Sequence, residues 1–224
     1  MISIIIPTLN AEKHLGSLLP LLGGLAGYEV IVVDGGSSDR TCEVAKNYGA
    51  KLYVSSPGRG GQLALGAQKS KGNWLFFLHA DSCLPEGWQE LLERHRRDQP
   101  QKALCFSLKL DDDRWQARGL EYIVRLRCRF LVLPYGDQGL FISRRLYEEA
   151  GGFADMPLME DVDLVRRLGR RRIAISPAAI TTSAVRYRKA GYIRRMTRNM
   201  LCLTLYFLGM PPERIVQIYH KNST

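Results

Sequence analysis

The chain has 224 residues, 46% of them apolar, which is enough for one domain with a sizeable core and excludes the small disulfide-stapled or metal-stapled class. The formal net charge of +10, most of which comes from the second half of the sequence, favours an anionic partner. No motif typical of nucleic-acid binding accompanies this charge, so we expect a phosphorylated or lipid-linked acceptor or an anionic membrane surface as the partner, and no nucleic acid.

The cellular location can be predicted from cysteine usage and hydropathy. The five cysteines are scattered without a CxxC pair, which is typical of a reducing cytoplasm. No basic segment precedes a long apolar one at the start of the chain, and the apolar stretch at residues 200–210 is about half the length of a membrane span. We therefore expect a cytoplasmic protein, either free or peripheral on the inner face of the cell membrane.

The first half of the chain alternates short apolar runs with amphipathic segments. Strands are predicted at residues 3–6, 28–33, 51–54 and 74–78, and helices after Asn10, taken as an N-cap, and at residues 41–48 and 62–69. Alternation of buried strands with helices predicts a mostly parallel sheet covered on both faces.

The second half continues this pattern and ends in helices. The predicted elements are a helix from Pro85 to about residue 97, a half-exposed or edge strand at 104–110, a helix at 115–130, a strand at 139–142 and a helix at 160–168. The sequence therefore predicts an α/β domain over residues 1–188, with a Rossmann-like central sheet flanked by helices. A C-terminal amphipathic helical tail is predicted over residues 189–224.

Polar loops follow three of the predicted strands, at residues 7–10, 34–39 and 79–81. Ligands of open α/β sheets bind beyond the carboxyl ends of the strands, where these loops lie. Residues 34–39 can alternatively be a tight turn with a helix cap. Within residues 58–62, which lack the terminal Lys-Ser/Thr of a P-loop, Arg59 is either a diphosphate clamp or a solvated loop arginine.

Two further patterns suggest chemistry. His79 and Asp81 stand two residues apart after a strand, so both side chains can converge on one divalent cation, although a structural histidine is equally consistent. Glu160, Asp161 and Asp163 stand at the start of a predicted helix. They either complement the helix dipole or include a general base.

Taken together, these motifs make the chain resemble the inverting glycosyltransferases of family 2, which have the GT-A fold. The matching stretches, in order, are residues 3–10, 32–41, 58–62, 79–81, 151–153 and 160–161. The His79-Ala80-Asp81 form of the usual Asp-x-Asp motif is most similar to that of a bacterial subgroup of small enzymes. The resemblance implies metal-assisted transfer of a sugar, with inversion, from a nucleotide-diphosphate sugar to an acceptor hydroxyl.

The resemblance also implies roles for individual residues. The nucleotide would contact Pro7, Thr8, Asn10, Asp34, Gly36, Ser38, Arg59, Gln62 and Ala80. Mn²⁺ or Mg²⁺ would be held by Asp81 and His79, Asp161 would be the catalytic base, and Glu160 would assist it or orient the acceptor. Asp137, Gln138 and Arg186 would lie near the acceptor and the diphosphate.

Alternatives remain for the function and for the tail. A nucleotidyltransferase would need a glycine-rich basic loop after the first strand, which residues 7–10 do not supply, and a non-catalytic nucleotide-sugar or membrane-binding module would not need Asp81, Glu160 and Asp161. The basic and apolar tail either contacts an anionic membrane or packs on protein, on its own domain or in a homodimer formed through the C-terminal helices.

Overall fold

The apolar runs of the chain form one mixed sheet in the computed structural model, which describes residues 1–221. The strands are β1 (Ile2–Thr8), β2 (Tyr28–Asp34), β3 (Lys51–Val54), β4 (Trp74–Phe77), β5 (Ala103–Leu110), β6 (Leu140–Ser143) and β7 (Ile173–Thr182). Their order across the sheet is β3-β2-β1-β4-β6-β5-β7. Strand β6 is antiparallel to both of its neighbours and the remaining pairs are parallel, so the prediction of a mostly parallel sheet is confirmed.

Helices flank the sheet and continue beyond it. They are α1 (Glu12–Leu22), α2 (Thr41–Asn47), α3 (Arg59–Lys69), α4 (Trp88–Asp98), α5 (Trp115–Leu131), α6 (Arg144–Glu149), α7 (Glu160–Leu168), α8 (Val185–Ala190), α9 (Tyr192–Phe207) and α10 (Pro212–Lys221). Short 3₁₀ helices cover Gly136–Gln138 and Arg170–Arg172. None of the helices in the described part of the chain is both long and apolar enough to span a membrane.

The alternation of side chains along β1 divides them between two apolar clusters of the core, and a third cluster joins β5 and α5. Ile4 and Ile6 of β1 belong to the cluster that contains the leucines of α1, whereas Ile5 belongs to the cluster that contains Leu63 of α3. Successive residues of a strand point to opposite faces of its sheet. Both faces of the sheet are therefore buried, as the continuous apolar runs predicted.

Strand β7 was not predicted, because Pro177 interrupts its sequence pattern. Its pairing with β5 shifts at this point: Cys105 lies opposite Ile175, whereas Ser107 lies opposite Ala179. The longer stretch of β7 forms a bulge, where a proline is tolerated because the ladder hydrogen bonds are already interrupted. Since β7 lies outside β5, the expectation that residues 104–110 form an edge strand was wrong.

Three predicted helix starts were also wrong, and the first of them is that of α3, which begins at Arg59 instead of residue 62. Helix α1 begins at Glu12 after Ala11, and Asn10, which has a left-handed φ of 50°, directs its side-chain oxygen to Ser38 instead of capping the helix. Helix α4 begins at Trp88, beyond Pro85, because Gly87 adopts a left-handed conformation immediately before it. The short helices α6 and α8 were not predicted either.

The C-terminal helices share a core with the sheet. Cys202 and Leu203 of α9 and Ile215 of α10 are buried in the same apolar cluster as Ile5 and Leu63. The predicted boundary at residue 189 falls inside α8. These contacts hold α9 and α10 against the domain that contains the predicted site.

Candidate active site

The predicted site residues gather at the carboxyl edge of the sheet in two groups. The first group, here called the turn cluster, lies at the ends of β1 and β2 and in the loops that follow them, and comprises Thr8, Asn10, Asp34, Ser37 and Ser38. The second group lines a cavity of about 500 Å³, here called the edge cavity. The polar residues of the second group that the sequence had indicated are Arg59, His79, Asp81, Asp137, Asp161 and Arg186.

Asp34 is the centre of the turn cluster. Its side chain, 1% exposed, accepts hydrogen bonds from the Thr8 hydroxyl at 3.0 Å, the Ser37 hydroxyl at 2.5 Å and the backbone N–H groups of Gly36 and Ser37 at 2.9 and 2.7 Å. Burial acts to raise the pKa of Asp34, but these hydrogen bonds outweigh it and hold the pKa below its usual value. The loop is therefore a rigid, negatively charged turn.

Asn10 ties the two loops of the turn cluster together. Its side-chain oxygen accepts from the Ser38 N–H at 2.9 Å and from the Ser38 hydroxyl at 3.2 Å, and its own N–H donates to the Ser37 hydroxyl oxygen at 2.8 Å. Gly36, Ser38 and Asn10 remain exposed, so this surface is available to a ligand.

Five residues predicted to contact the nucleotide are buried: Thr8 and Asp34 in the turn cluster, and Pro7, Gln62 and Ala80 outside it. The Gln62 side chain donates to the carbonyl oxygens of Thr8 and Val33, both at 2.8 Å, and so joins the ends of β1 and β2. Pro7 is buried within β1, and Ala80 is buried after β4. The expectation that the Gln62 side chain faces the nucleotide is therefore corrected: the side chain joins the strand ends that carry the turn cluster.

Asp161 lies in the wall of the edge cavity at the start of α7. Its Oδ2 atom accepts the backbone N–H of Gly136 at 2.7 Å, and its Oδ1 atom accepts the N–H of Val162 at 2.7 Å. A Cβ atom at position 136 would lie 2.8 Å from Nε2 of His79 and 3.4 Å from Asp161, so only glycine allows this approach. Gly136 was missed in the sequence because no local pattern links it to Asp161.

Glu160 is buried beside Arg59 and is not among the residues that line the edge cavity. Its side chain is 1% exposed, Oε1 accepts from Nε of Arg59, and Oε2 is buried without a hydrogen-bond partner. Burial raises the pKa of Glu160, and the neighbouring Asp161 raises it further, although Arg59 acts in the opposite direction. Glu160 therefore positions Arg59, and its expected role of assisting Asp161 or orienting the acceptor stays a prediction.

The glycines of the 58–62 loop explain how Arg59 reaches Glu160. A Cβ atom at Gly60 would collide with the carbonyl oxygen of Ala154, and one at Gly61 would lie 2.7 Å from Oδ1 of Asp155. These glycines let the start of α3 pack directly against the segment that leads into α7. The same turn of α3 thus carries Arg59 into the edge cavity and Gln62 under the turn cluster.

His79 and Asp81 both line the edge cavity, as the metal prediction requires. Burial, followed by the nearby charges of Arg59 and Arg186, lowers the pKa of His79 to about 3, so its imidazole is neutral and able to bind a metal. Asp81 makes no hydrogen bond or ion pair with the described residues. Within residues 1–221, no group of three or more His, Cys, Asp or Glu side chains is placed to hold a metal ion. A divalent cation held by His79 and Asp81 would therefore need further ligands from outside the protein, such as phosphate oxygens.

Asp137 is a carboxylate of the edge cavity that has a buried, unbonded oxygen atom. Its Oδ1 atom is buried without a hydrogen-bond partner. Burial, opposed by Arg127 and reinforced by Asp161, raises its pKa to about 6. Such a group can accept a hydrogen bond from a ligand that enters the cavity.

Gln138 is placed differently from its neighbour Asp137. Its side chain is 1% exposed, donates to the carbonyl oxygen of Phe106 at 2.8 Å, and accepts from Arg127 and the N–H of Tyr135 at 3.2 Å. The expectation that it contacts the acceptor or the diphosphate is corrected, because all of its polar atoms are bound within the protein. Arg127, which stacks 3.4 Å above the Tyr135 ring, lines the cavity and was not predicted.

Arg186 lies on α8 and lines the cavity, as predicted. It is exposed and makes no hydrogen bond or ion pair with the described residues. Its charge acts on His79 across the cavity. The polar end of the cavity therefore has one uncommitted guanidinium in addition to Arg59, which is held by Glu160.

Comparisons with known proteins agree with this geometry. The profile of Glycosyl transferase family 2 matches residues 3–173. A Mycobacterium bovis PGL/p-HBAD biosynthesis glycosyltransferase is 36% identical over 95 residues, which are 38% of this chain and 37% of that protein. A Staphylococcus haemolyticus 4,4'-diaponeurosporenoate glycosyltransferase is 38% identical over 89 residues, which are 36% of this chain and 24% of that protein. The matches thus span well under half of these relatives.

Solved structures share the fold over nearly the whole chain. Glucosyl-3-phosphoglycerate synthase from Mycobacterium tuberculosis, crystallised with phosphoglyceric acid, superposes with a TM-score of 0.65 at 24% identity, over 94% of this chain and 81% of that one. A fragment of S. aureus TarS in complex with UDP-GlcNAc gives a TM-score of 0.66 at 18% identity, over 97% of this chain and 70% of that one. The expected GT-A fold is confirmed.

Proposed function

The chain belongs to glycosyl transferase family 2, and we propose that it transfers a sugar from a nucleotide-diphosphate sugar to an acceptor hydroxyl with inversion, with Asp161 as the general base. The observation that carries the proposal is the fixed position of Asp161 in the wall of the edge cavity, beside His79 and Asp81. Two of its lone pairs are used by the Gly136 and Val162 N–H groups, and each oxygen keeps a further one for a ligand.

The proposed reaction is a single displacement. The acceptor hydroxyl gives its proton to Asp161 while its oxygen forms a bond to the anomeric carbon. The bond from that carbon to the diphosphate oxygen breaks on the opposite face, and the nucleoside diphosphate leaves with the electron pair. Attack opposite to the leaving group inverts the anomeric configuration.

The donor is proposed to lie between the turn cluster and Arg59. Asp34 and the exposed Asn10 and Ser38 offer hydrogen-bonding groups to a nucleoside, and Arg59 lies where a diphosphate would enter the edge cavity. Similar structures support the donor class: the M. tuberculosis synthase was crystallised with Mn²⁺ and UDP-glucose, and TarS with UDP-GlcNAc. By holding Arg59, Glu160 keeps this cation in place before the donor binds.

His79 and Asp81 are the residues that would hold a divalent cation. When bound, Mn²⁺ or Mg²⁺ would neutralise the charge that develops on the departing diphosphate. Arg186, which has no partner among the described residues, would add a second positive charge near the same phosphates or near an anionic acceptor.

The cellular location and the oligomeric state of the protein remain predictions made from its sequence. A cytoplasmic enzyme, with or without a peripheral contact to an anionic membrane, agrees with the charge of the chain. A homodimer through the C-terminal helices would cover the apolar side chains that α9 leaves exposed, such as Ile193.

A donor screen tests the proposed function. The full chain is incubated with UDP-, GDP- and other nucleotide sugars, with Mn²⁺ or with a chelator, and the released nucleotide is identified by mass spectrometry. We expect release of a nucleoside diphosphate from one donor class, lost with the chelator. Release of pyrophosphate or a nucleoside monophosphate would indicate a nucleotidyltransferase, and saturable binding without any release would indicate a non-catalytic module.

A further inference from the structure

The edge cavity continues well beyond the polar groups that the proposed reaction needs. From Asp161 it extends between α5 and α9, where its lining is mostly apolar and also includes Arg127, Arg195 and Asn199. We call this part the apolar arm; its residues are Leu120, Ile123 and Val124 of α5 and Met196, Met200 and Leu203 of α9. The sequence analysis did not predict any of these residues as part of the site, although Met200 and Leu203 belong to the apolar stretch at residues 200–210.

The apolar arm is unsuited to a carbohydrate acceptor. A sugar hydroxyl that enters such a pocket loses its hydrogen bonds to water and finds no protein partner in the arm, which costs free energy. A hydrocarbon chain gains free energy there because its surface leaves water. The whole edge cavity has a volume of about 500 Å³, within the range of about 300–1,000 Å³ that is typical of ligand-binding pockets.

The arm opens to the protein surface between the two helices. Ile123 and Met200 line the cavity and are also 41% and 55% exposed. Phe130 and Leu131, near the end of α5, likewise line the cavity and are exposed. A chain longer than the cavity can therefore pass out between α5 and α9.

The two ends of the cavity differ in charge as an amphiphile would require. The polar end holds Asp161, which would accept a hydroxyl proton, and the uncommitted cation Arg186. The other end is lined mainly by apolar side chains of α5 and α9, and the polar residues of these helices that line the cavity are Arg127, Arg195 and Asn199. A molecule with a hydroxyl-bearing head and a hydrocarbon tail matches this division in a single orientation.

We propose that the acceptor is an amphiphile whose hydrocarbon chain lies in the apolar arm and whose hydroxyl reaches Asp161. This inference rests on the proposed sugar transfer and specifies its acceptor class. In the reaction, the head-group oxygen forms the new bond to the anomeric carbon, its proton goes to Asp161, and the nucleoside diphosphate departs with the electrons of the broken bond.

The proposal is tested by the binding of alkyl β-glucosides of increasing chain length, below their micelle concentrations, to the full-length protein without donor. Titration calorimetry should show affinity rising by about two- to fourfold for each added methylene group that enters the arm. The cavity variants Ile123→Glu and Met200→Glu should lose this dependence on chain length, because each places a charge in the path of the chain.

The matched controls are Tyr122→Glu and Leu201→Glu. These residues neighbour the test positions on the same helices, are 58% and 49% exposed, and are not among the residues that line the edge cavity. Both controls should keep the chain-length dependence of the wild type. An affinity independent of chain length in the wild type, or an equal loss in test and control variants, would overturn the proposal.

Two further results separate this inference from the proposed function and from membrane adsorption. Chain-length-dependent binding without sugar transfer from any donor would overturn the proposed function and leave the apolar site standing as a binding site. Transfer to polar acceptors with no dependence on chain length would support the function and overturn this inference. Pelleting with anionic vesicles that is equal in all variants, without chain-length selection, would assign the apolar side chains to surface adsorption and overturn it as well.

Discussion

Glu29 at the amino edge of the sheet is fully hydrogen-bonded, as is Asp34 at the carboxyl edge, whereas two other buried carboxylates at the carboxyl edge are not. At the amino edge, Glu29 accepts from the Ser3 hydroxyl and the Lys71 N–H at 2.5 Å, from the Gly72 N–H at 3.2 Å and from Lys51 Nζ at 2.6 Å. At the carboxyl edge, Glu160 Oε2 and Asp137 Oδ1 are buried without hydrogen-bond partners. One edge uses its carboxylate to hold strands together, whereas the other keeps unsatisfied groups that a ligand can engage.

This difference separates carboxylates that stabilise the folded state from carboxylates that are available to a ligand. A fully bonded carboxylate stabilises the folded state, and its loss should lower stability. A carboxylate buried without partners is costly, so its neutralisation should leave stability unchanged or raise it. The change in unfolding free energy that follows substitution of these residues therefore tests the contrast between the two edges.

The largest effect on stability is expected from Arg59→Met. This change removes the partner of Glu160 and leaves a buried carboxylate unpaired, which should lower the free energy of unfolding by about 3–5 kcal/mol. Urea unfolding measures it, and the double variant with Glu160→Gln should recover most of the loss. The exposed Arg40 is the control, since Arg40→Met should cost less than about 1 kcal/mol. Equal losses for Arg59→Met and Arg40→Met would refute the structural role of the ion pair.

A smaller loss is expected at the amino edge from Glu29→Gln. Burial acts to raise the pKa of Glu29, but its bonds to Lys51, Ser3 and Lys71 lower the pKa to about 2. Its stabilising effect is therefore present above the unfolded-state pKa of about 4.5 and is lost as the pH falls toward about 2. The substitution should cost about 2 kcal/mol near pH 7, after allowance for solvent screening, and less near pH 3.5.

Unfolding of wild type and variant by urea at the two pH values measures this change. Glu43→Gln is the control, because Glu43 is an exposed partner of Arg40 on α2 and should change stability little. A gap between wild type and Glu29→Gln that does not narrow at the lower pH would contradict the role assigned to the ionised carboxylate.

The smallest effect is expected at the carboxyl edge, with the opposite sign, from Asp137→Asn. Because burial raises the pKa of Asp137 to about 6, the folded state holds its proton more tightly than the unfolded state. Stability should therefore fall as the pH rises from about 4 through 6, and the variant should be more stable than wild type near pH 7.5 by about 1 kcal/mol. Thermal unfolding with a chelator present measures this; a variant less stable than wild type near pH 7.5 would remove the contrast between the edges.

The sequence alone predicted the strands of the nucleotide-binding half well. Strands β1 to β4 are continuous apolar runs bounded by turn residues, so local pattern and tertiary structure agree. Strand β7 escaped prediction because Pro177 hides it, and its existence depends on a bulge opposite β5. A bulge depends on how two strands pair, so the sequence of one strand alone does not indicate it.

The candidate site was predicted in part for a similar reason. Asp81, His79, Asp137 and Asp161 were selected from local motifs or from resemblance, and the fold brings them to one cavity. The Gly136 contact and the pairing of Arg59 with Glu160 join distant parts of the chain, and their residues look ordinary in the sequence. The apolar arm depends on the packing of α9 near α5, which amphipathic patterns do not specify.

The central claim, that Asp161 is the base of a sugar transfer at the carboxyl edge, is tested most directly by Asp161→Asn beside Asp163→Asn. Asp163 lies on the same helix, is paired with Arg167 and is not among the residues that line the edge cavity. With the donor identified by screening, Asp161→Asn should lower kcat by about 100- to 10,000-fold and leave the Kd for the nucleotide sugar within about twofold, whereas Asp163→Asn should keep kcat within about threefold. Wild-type turnover in Asp161→Asn, or an equal loss in Asp163→Asn, would contradict the account.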